Sequence, residues 1–226
     1  TFYVRGMYTE VALAFVIPEE RVFLENFSGL GSSNPFGPRR EVFEEALLGR
    51  AFVPSSEESL HELLVRDPYR RGTNFERISR LAEEKLGALR ERLAAGARPS
   101  PAEAGRYQDA ALLLLYRRHL DGFTDLIRAA EEGRRSSVRG FYRSFRREWA
   151  HFLQIPDVEL PAPFDCSHVF ACLYQIQRAY HHIFRYIIGQ SRASARLRAS
   201  VWNSIFTHDL RRYATTLYSR MSDMTT

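Results

Sequence analysis

The stretch that decides the fold lies near the middle of the chain, where residues 110–116 read AALLLLY. Its residues are apolar nearly all around a helix, which is typical of a helix buried in a core rather than one lying on a surface. Pro101 and Glu103 precede it and suit the first turn of a helix. We therefore expect a central core helix against which the rest of the chain packs.

Helical periodicity continues on both sides of this run. Before it, apolar residues recur at three-to-four-residue intervals over residues 74–95, and the Gly and Pro of residues 96–101 end the pattern. Shorter helices are predicted over residues 41–48 and after Ser55, where Glu58 completes a capping box. After the central run, one apolar stripe is formed by Val138, Phe141, Phe145, Trp149 and Phe152.

The first forty residues are the least regular part of the chain. Residues 11–17 suit a strand, and residues 29–38 contain the Gly, Ser, Asn and Pro that are typical of a loop. We predict an N-terminal arm or small edge element over residues 1–40. The expected fold class is mainly α, with a short irregular or β N-terminal element, a multi-helix domain and a C-terminal helical extension.

Composition limits the classes of function. The chain has 226 residues, of which 45% are hydrophobic, enough to bury a core. Its net charge of +5 is modest and its acidic and basic residues are interspersed, so the whole chain is not a polycation built for nucleic acid. The uncharged stretch at residues 166–177 is shorter than the roughly 20 apolar residues of a membrane span. We expect no membrane contact, no secretory signal and a reducing cytoplasmic location.

Signatures of catalysis are missing from the sequence. Gly29, Gly31 and Ser32 suggest a phosphate loop only superficially, because no Lys-Ser or Lys-Thr pair follows them. The sequence also contains no nucleophile elbow, no CxxC pair and no HExxH motif. An independent enzyme is therefore the least supported class, and we assign no catalytic residue.

Side chains that bind metals are densest between residues 166 and 182. On one helix, His168 and Cys172 would lie one turn apart on the same side. Ligands spread over four turns of one helix cannot close a tetrahedral site, so a metal would need further ligands from elsewhere. Cys166, His168 and Cys172 are thus candidates for metal or redox sensing. The alternative, buried cysteines and packing histidines, predicts no metal.

Arginines recur at a spacing of four before and along the aromatic stripe, at Arg135, Arg139, Arg143 and Arg147. On a helix this spacing makes a basic ridge opposite the stripe. Guanidinium groups offer planar donors to phosphate and carboxylate, so the ridge is a candidate surface for nucleic acid or an acidic protein. The alternative is a solvated face whose arginines pair with nearby Glu131, Glu132 and Glu148 or with acidic residues of another helix.

A second apolar seam follows a proline-rich linker over residues 155–163. It keeps a strict alternation of four and three along Val169, Leu173, Ile176, Tyr180, Ile183 and Ile187. Such a seam either packs inside a helix bundle or pairs with a second copy of the chain. We expect a homodimer through this helix, which also leads directly into the next motif.

That motif is residues 187–191, Ile-Ile-Gly-Gln-Ser. It resembles the Ile-Gly-x-Ser element that opens the central AAA+ domain of NtrC-type sigma-54-dependent transcriptional activators, the bacterial enhancer-binding proteins. In that family a helix follows, then a strand that leads into a glycine-rich phosphate loop. Residues 195–205 suit the helix and residues 224–226 the start of the strand. The interval over residues 206–222 is longer than usual and resembles a subgroup with a helical N-terminal region. The alternative is that Gly189 merely ends a helix.

The resemblance implies the organisation and function of the chain. Residues 41–186 would be a helical regulatory domain and residues 187–226 a linker with the truncated start of an AAA+ domain. The domain would receive a signal and control the assembly or activity of an ATPase that acts on sigma-54 RNA polymerase at promoter DNA. Ile188 and Gly189 would lie beside the adenine of ATP. ATP and Mg²⁺ are implied for a longer protein only, since no phosphate loop is present and we expect no cofactor here.

Overall fold

Eight α-helices make up the part of the chain that the computed structural model describes, which is residues 15–54, 73–135, 137–161, 165–189 and 191–205. These residues contain no strand, and one short 3₁₀ turn at Gly49–Ala51 follows the second helix. The helices are α1 (Pro18–Gly31), α2 (Arg39–Leu48), α3 (Thr73–Ala94), α4 (Pro101–Arg118), α5 (Leu120–Glu131), α6 (Val138–Leu153), α7 (Cys166–Tyr186) and α8 (Arg192–Ile205). The mainly α class is confirmed.

Helix α4 is the central element. Its first turn is fixed by a capping box, in which the Ser100 amide donates to Glu103 at 2.9 Å and the Ser100 hydroxyl accepts from the Glu103 amide at 3.3 Å. The helix packs against α1, α3, α5 and α6. Tyr107, Leu114 and Leu115 are fully buried along it, and the Tyr107 hydroxyl donates to the Phe152 carbonyl of α6 at 2.9 Å. The central core helix is therefore confirmed.

Helix α1 corrects the expectation for the N-terminal residues. Residues 11–14 of the predicted strand lie outside the described residues, residues 15–17 are not a strand, and residues 18–31 form a helix. The prediction of an irregular or β element was wrong over this helix because Gly29 and Gly31 read as loop residues. In the fold they allow close packing: a Cβ on Gly31 would lie 2.8 Å from the Leu113 side chain, and one on Gly29 would lie 2.3 Å from Phe43. The face of α1 that enters the core comprises Phe23, Leu24, Phe27 and Leu30.

The other predicted helices have mixed outcomes. The periodic segment over residues 74–95 forms α3, and residues 41–48 lie in α2. The aromatic stripe of α6 enters the core through Phe145, Trp149 and Phe152, whereas Val138 at its start is exposed. The helix predicted after Ser55 lies outside the described residues.

Helices α7 and α8 form a second, smaller apolar cluster beside the main core. Phe36, Cys172, Ile183 and Trp202 are buried in it. The loop between α1 and α2 holds α8 in place, because the Asn34 side-chain amide donates to the Ala199 carbonyl at 2.8 Å. Helix α7 thus packs against both clusters, and α8 lies against its C-terminal half. Among the described residues, no helix has the length and apolar character needed to cross a membrane.

Candidate functional site

The joint between α7 and α8 contains the Ile-Ile-Gly-Gln-Ser motif. Helix α7 ends where the Ile187 amide donates to the Ile183 carbonyl at 3.2 Å. Gly189 follows with φ +136°, in the half of the backbone map that side chains disfavour. A Cβ at this position would also lie 2.3 Å from the Ser194 hydroxyl. The positive φ therefore favours glycine at the joint, and the Ser194 hydroxyl occupies the space that a Cβ would take.

Ser191 begins the second half of the joint. Its hydroxyl accepts a hydrogen bond from the Ser194 amide at 3.2 Å, and its carbonyl accepts one from the Ala195 amide at 3.1 Å. Ser191 thus satisfies amides that the first turn of α8 leaves without helical partners. Gln190 lies outside the described residues. The local geometry explains the glycine and the serine of the motif by their roles in the connection between α7 and α8. This agrees with the alternative that Gly189 ends a helix.

Arg198 of α8 clamps the joint from inside. One of its terminal nitrogens donates to the Ile187 carbonyl at 2.8 Å and to the Gly189 carbonyl at 2.9 Å, and its Nε lies 3.2 Å from the Ile187 carbonyl. Its guanidinium carbon lies 5.0 Å from the centre of the Phe184 ring. The residue is only 5% exposed, and this burial lowers the pKa of its guanidinium. The end of α7 and the glycine of the motif are therefore held by one buried cation.

Ile188 is the part of the motif that local geometry leaves unexplained. It is 88% exposed, the highest fraction among the large exposed hydrophobic residues of the described chain. Its two neighbours in sequence each have a carbonyl held by Arg198. The backbone thus presents a large apolar side chain to solvent from an anchored position. The sequence prediction placed this residue beside a nucleotide base.

Polar bonds tie α7 to the helices around it. The buried Gln177 side chain accepts from the Tyr116 hydroxyl of α4 at 2.7 Å and donates to the Thr124 hydroxyl of α5 at 3.0 Å. One turn further, His181 Nε2 lies 3.0 Å from a Glu131 oxygen of α5. Arg185 donates to the other oxygen of that carboxylate at 3.1 Å. Because polar bonds of this kind have fixed geometry, α7 moves either together with α4 and α5 or by breaking these bonds.

The seam residues of α7 pack against other helices of the same chain. Val169 and Leu173 are buried in the main core, and Ile183 is buried in the second cluster. Ile176 and Tyr180 are partly buried against the same clusters. Burial raises the pKa of Tyr180 to about 12. Of the two uses predicted for the seam, packing within a bundle is the one that this burial supports, and these side chains are not an open dimer surface.

The arginine ridge differs from its prediction in one member. Helix α5 ends at Glu131, Gly133 has φ +64°, and α6 begins only at Val138, so Arg135 lies in the connection rather than on the helix. Arg139, Arg143 and Arg147 lie on α6 as predicted, and Arg146 joins them. All four are exposed, whereas Phe145 between them is fully buried. We call Arg139, Arg143, Arg146 and Arg147 the arginine face.

The candidate metal ligands are only partly brought together. Cys172 Sγ lies 3.7 Å from His168 Nε2, as one helical turn places them. Burial raises the pKa of the Cys172 thiol to about 12 and also raises that of Cys166, so both thiols stay protonated at neutral pH. Within the described residues no three His, Cys, Asp or Glu side chains form a group that could hold a metal ion. The geometry thus favours the packing alternative for this set.

Sequence reasoning missed Arg198, Asn34 and Gln177. The first two bind backbone carbonyls of distant residues, and a carbonyl is a partner that every residue offers equally. Gln177 has a signal of its own, because it is a polar residue inside a long apolar seam and is only 1% exposed. Such a residue needs buried partners, which the sequence does not identify.

Comparison of the chain with protein-family models, with curated proteins and with solved structures finds no match.

Proposed function

We propose that this chain is the regulatory region of a sigma-54-dependent transcriptional activator, and that it controls the assembly or activity of an AAA+ ATPase domain that follows it. The proposal rests on the resemblance of residues 187–191 to the element that opens that domain. In this reading residues up to 186 receive the signal. The chain itself carries no phosphate loop, so ATP and Mg²⁺ would be bound by the longer protein.

The exposed Ile188 is the observation that carries the proposal. Gly189 and Ser191 have local structural roles, but an isoleucine that is 88% exposed has none in a helix connection. In the activator family the Ile-Gly element lies beside the adenine of ATP, where a flat apolar ring would cover such a side chain. Burial of a side chain of this size contributes about 1.5–3 kcal/mol, enough to affect nucleotide affinity measurably.

The route from the domain to the ATPase would run through α7. Its first half packs in the main core, its second half supports α8, and Arg198 binds the carbonyl of Ile187, the residue that follows its last turn. A displacement of α7 relative to α5 would therefore reach Ile187 directly and Gly189 through the hydrogen bonds of Arg198. Ring assembly in this family responds to such rearrangements of an N-terminal domain. A homodimer stays part of the proposal, but its surface would have to lie outside the buried seam.

The first test is the coding sequence after Thr226. A Gly-x-x-x-x-Gly-Lys run within about ten residues is the result that we expect, because the phosphate loop follows the first strand of the domain. An open reading frame that continues without such a run contradicts the proposal.

The second test measures ATP affinity of the longer protein with Ile188→Asp. We expect a loss of at least about tenfold, which corresponds to roughly 1.4 kcal/mol. Leu197→Asp is the matched control, because Leu197 is also an exposed apolar residue, 53% exposed on α8, and has no predicted contact with nucleotide. Equal effects of the two variants, or none for Ile188→Asp, would refute the adenine contact.

A further inference from the structure

The arginine face of α6 carries positive charge that the described chain does not neutralise. Arg139 and Arg143 make no hydrogen bond or ion pair with any described residue, and Arg146 and Arg147 form no ion pair there. The first turn of α6 contains no acidic residue. The partial positive charge of the helix N-terminus therefore adds to that of Arg139 instead of being balanced. Such an arrangement does not stabilise the isolated helix.

The acidic residues that sequence reasoning offered as partners are occupied elsewhere. Glu131 binds His181 and Arg185 of α7, and Glu132 pairs with Arg134. Each of these two carboxylates is thus already in contact with at least one cationic or histidine side chain. Glu131 and Glu132 are therefore not available to neutralise the arginine face in the way that the alternative of a solvated, ion-paired surface had predicted.

Glu148 is occupied as well. Its Oε2 lies 3.3 Å from Arg118 Nε and 3.3 Å from His119 Nε2. The contact with His119, helped by the charges of Arg118 and Arg147, outweighs burial and lowers the pKa of the Glu148 carboxyl. Arg147 therefore interacts electrostatically with this carboxylate without forming an ion pair with it. Asp165 accepts hydrogen bonds from the Ser167 and His168 amides at the start of α7.

We infer that the arginine face binds the phosphate backbone of duplex DNA. Arg139, Arg143 and Arg147 follow one another at one-turn intervals, so their Cα atoms span about 12 Å along the helix axis. One strand of a duplex carries a phosphate every ~3.4 Å along its axis, so a run of this length faces several phosphates. Guanidinium groups can donate to phosphate oxygens in pairs.

Features of the same face select a duplex over the other polyanions. Phe145, Trp149 and Phe152 of α6 are buried in the core, and the partly buried Phe141 and Tyr142 pack against it, so the face offers few ring surfaces on which single-stranded bases could stack. Gly140 is exposed next to Arg139, so no side chain projects from that position. The major groove of B-form DNA is about 12 Å wide and admits a helix, whereas that of A-form RNA is narrow. The inference does not depend on the proposed ATPase partner.

The salt dependence of DNA binding by the chain tests the inference. Four phosphate contacts predict a slope of about −3.6 for the logarithm of the association constant against the logarithm of salt concentration. Between about 50 and 200 mM salt the affinity should then fall roughly 150-fold. Arg139→Gln with Arg143→Gln should reduce the slope to about −1.8, so that the same change in salt costs only about 12-fold. The probe is a short labelled duplex of mixed sequence, followed by fluorescence anisotropy.

The matched control is Arg21→Gln with Arg106→Gln, which removes the same charge from residues that pair with Glu103 and Glu25 on α4 and α1. This double variant should keep the full slope. An equal loss of slope in both double variants would assign the binding to net charge and overturn the inference. So would tighter binding of single-stranded DNA, duplex RNA or polyglutamate than of the duplex, with polyglutamate identifying an acidic protein as the partner. Circular dichroism confirms that each variant is folded.

Discussion

Replacing Arg198 with alanine should detach α8 from α7 while leaving the main core folded. The guanidinium holds two carbonyls, those of Ile187 and Gly189, through its shortest hydrogen bonds at 2.8 and 2.9 Å. Hydrogen bonds from charged groups contribute about 1.5–3 kcal/mol each, and burying an arginine without a carboxylate partner offsets part of that. We therefore expect a loss of about 2 kcal/mol in the free energy that keeps α8 docked, which is roughly a 30-fold rise in its opening.

Amide hydrogen exchange resolves this loss, because it reports local opening separately from global unfolding. The amides of Ala195 to Ile205 should lose about 30-fold of protection in the variant, whereas those around Leu114 in α4 should keep theirs. Arg196→Ala is the control, since Arg196 is exposed on the same helix. Unchanged protection of α8 in Arg198→Ala would refute the clamp. A parallel loss of protection in α4 would show that the joint and the core do not open separately.

Two further predictions concern stability. Gly122→Ala should lower the free energy of unfolding in urea by about 1–3 kcal/mol, although alanine favours helices, because its Cβ would lie 2.2 Å from the Phe141 ring. Gly87→Ala is the control: nothing lies within 4 Å of the new Cβ, so this variant should be more stable by up to about 1 kcal/mol. A change of the same sign in both variants would contradict the packing of Gly122 against Phe141. Glu148 has a folded-state pKa below its unfolded value, so its contribution is present above the unfolded pKa and is lost as pH falls through the folded one. Glu148→Gln should therefore make the free energy of unfolding depend less on pH on the acid side of the curve. An unchanged curve would show that the contact with His119 does not contribute to the pH dependence of stability.

Apolar periodicity was sufficient to predict a helix wherever the buried face of that helix is marked by apolar residues at helical intervals. The run at residues 110–116 and the stripe of α6 were predictable because burial of one face forces apolar residues to recur at helical intervals. Helix α1 was missed although Phe23, Phe27 and Leu30 follow the same rule. Its glycines are explained only by Phe43 and Leu113, which approach from other helices. A pattern that depends on a distant neighbour cannot be recognised from local sequence.

The pairing of charges was the least predictable feature, for a related reason. Glu148 is close in sequence to Arg147, yet its oxygen contacts Arg118 and His119, which α4 and its C-terminal cap bring against α6. An ion pair is decided by which helices pack together, and the sequence prediction of the helices did not include their packing. For the same reason the role of Arg198 could not be predicted, because its partners are backbone carbonyls that the packing of α8 against α7 brings close. The partners of the arginine face are therefore decided by the fold and not by neighbouring residues in the sequence.

The construction of the α7–α8 joint bears on how a signal would cross it. Arg198 binds two carbonyls that flank one exposed residue, and the second belongs to a glycine with φ +136°. A rotation of the backbone at Gly189 moves its carbonyl away from the guanidinium while the Ile187 carbonyl stays with α7. A single guanidinium cannot retain both acceptors across such a rotation, so at least one of the two hydrogen bonds would be lost. Ile188 lies between the two bound carbonyls, so loss of either hydrogen bond removes part of what fixes its backbone.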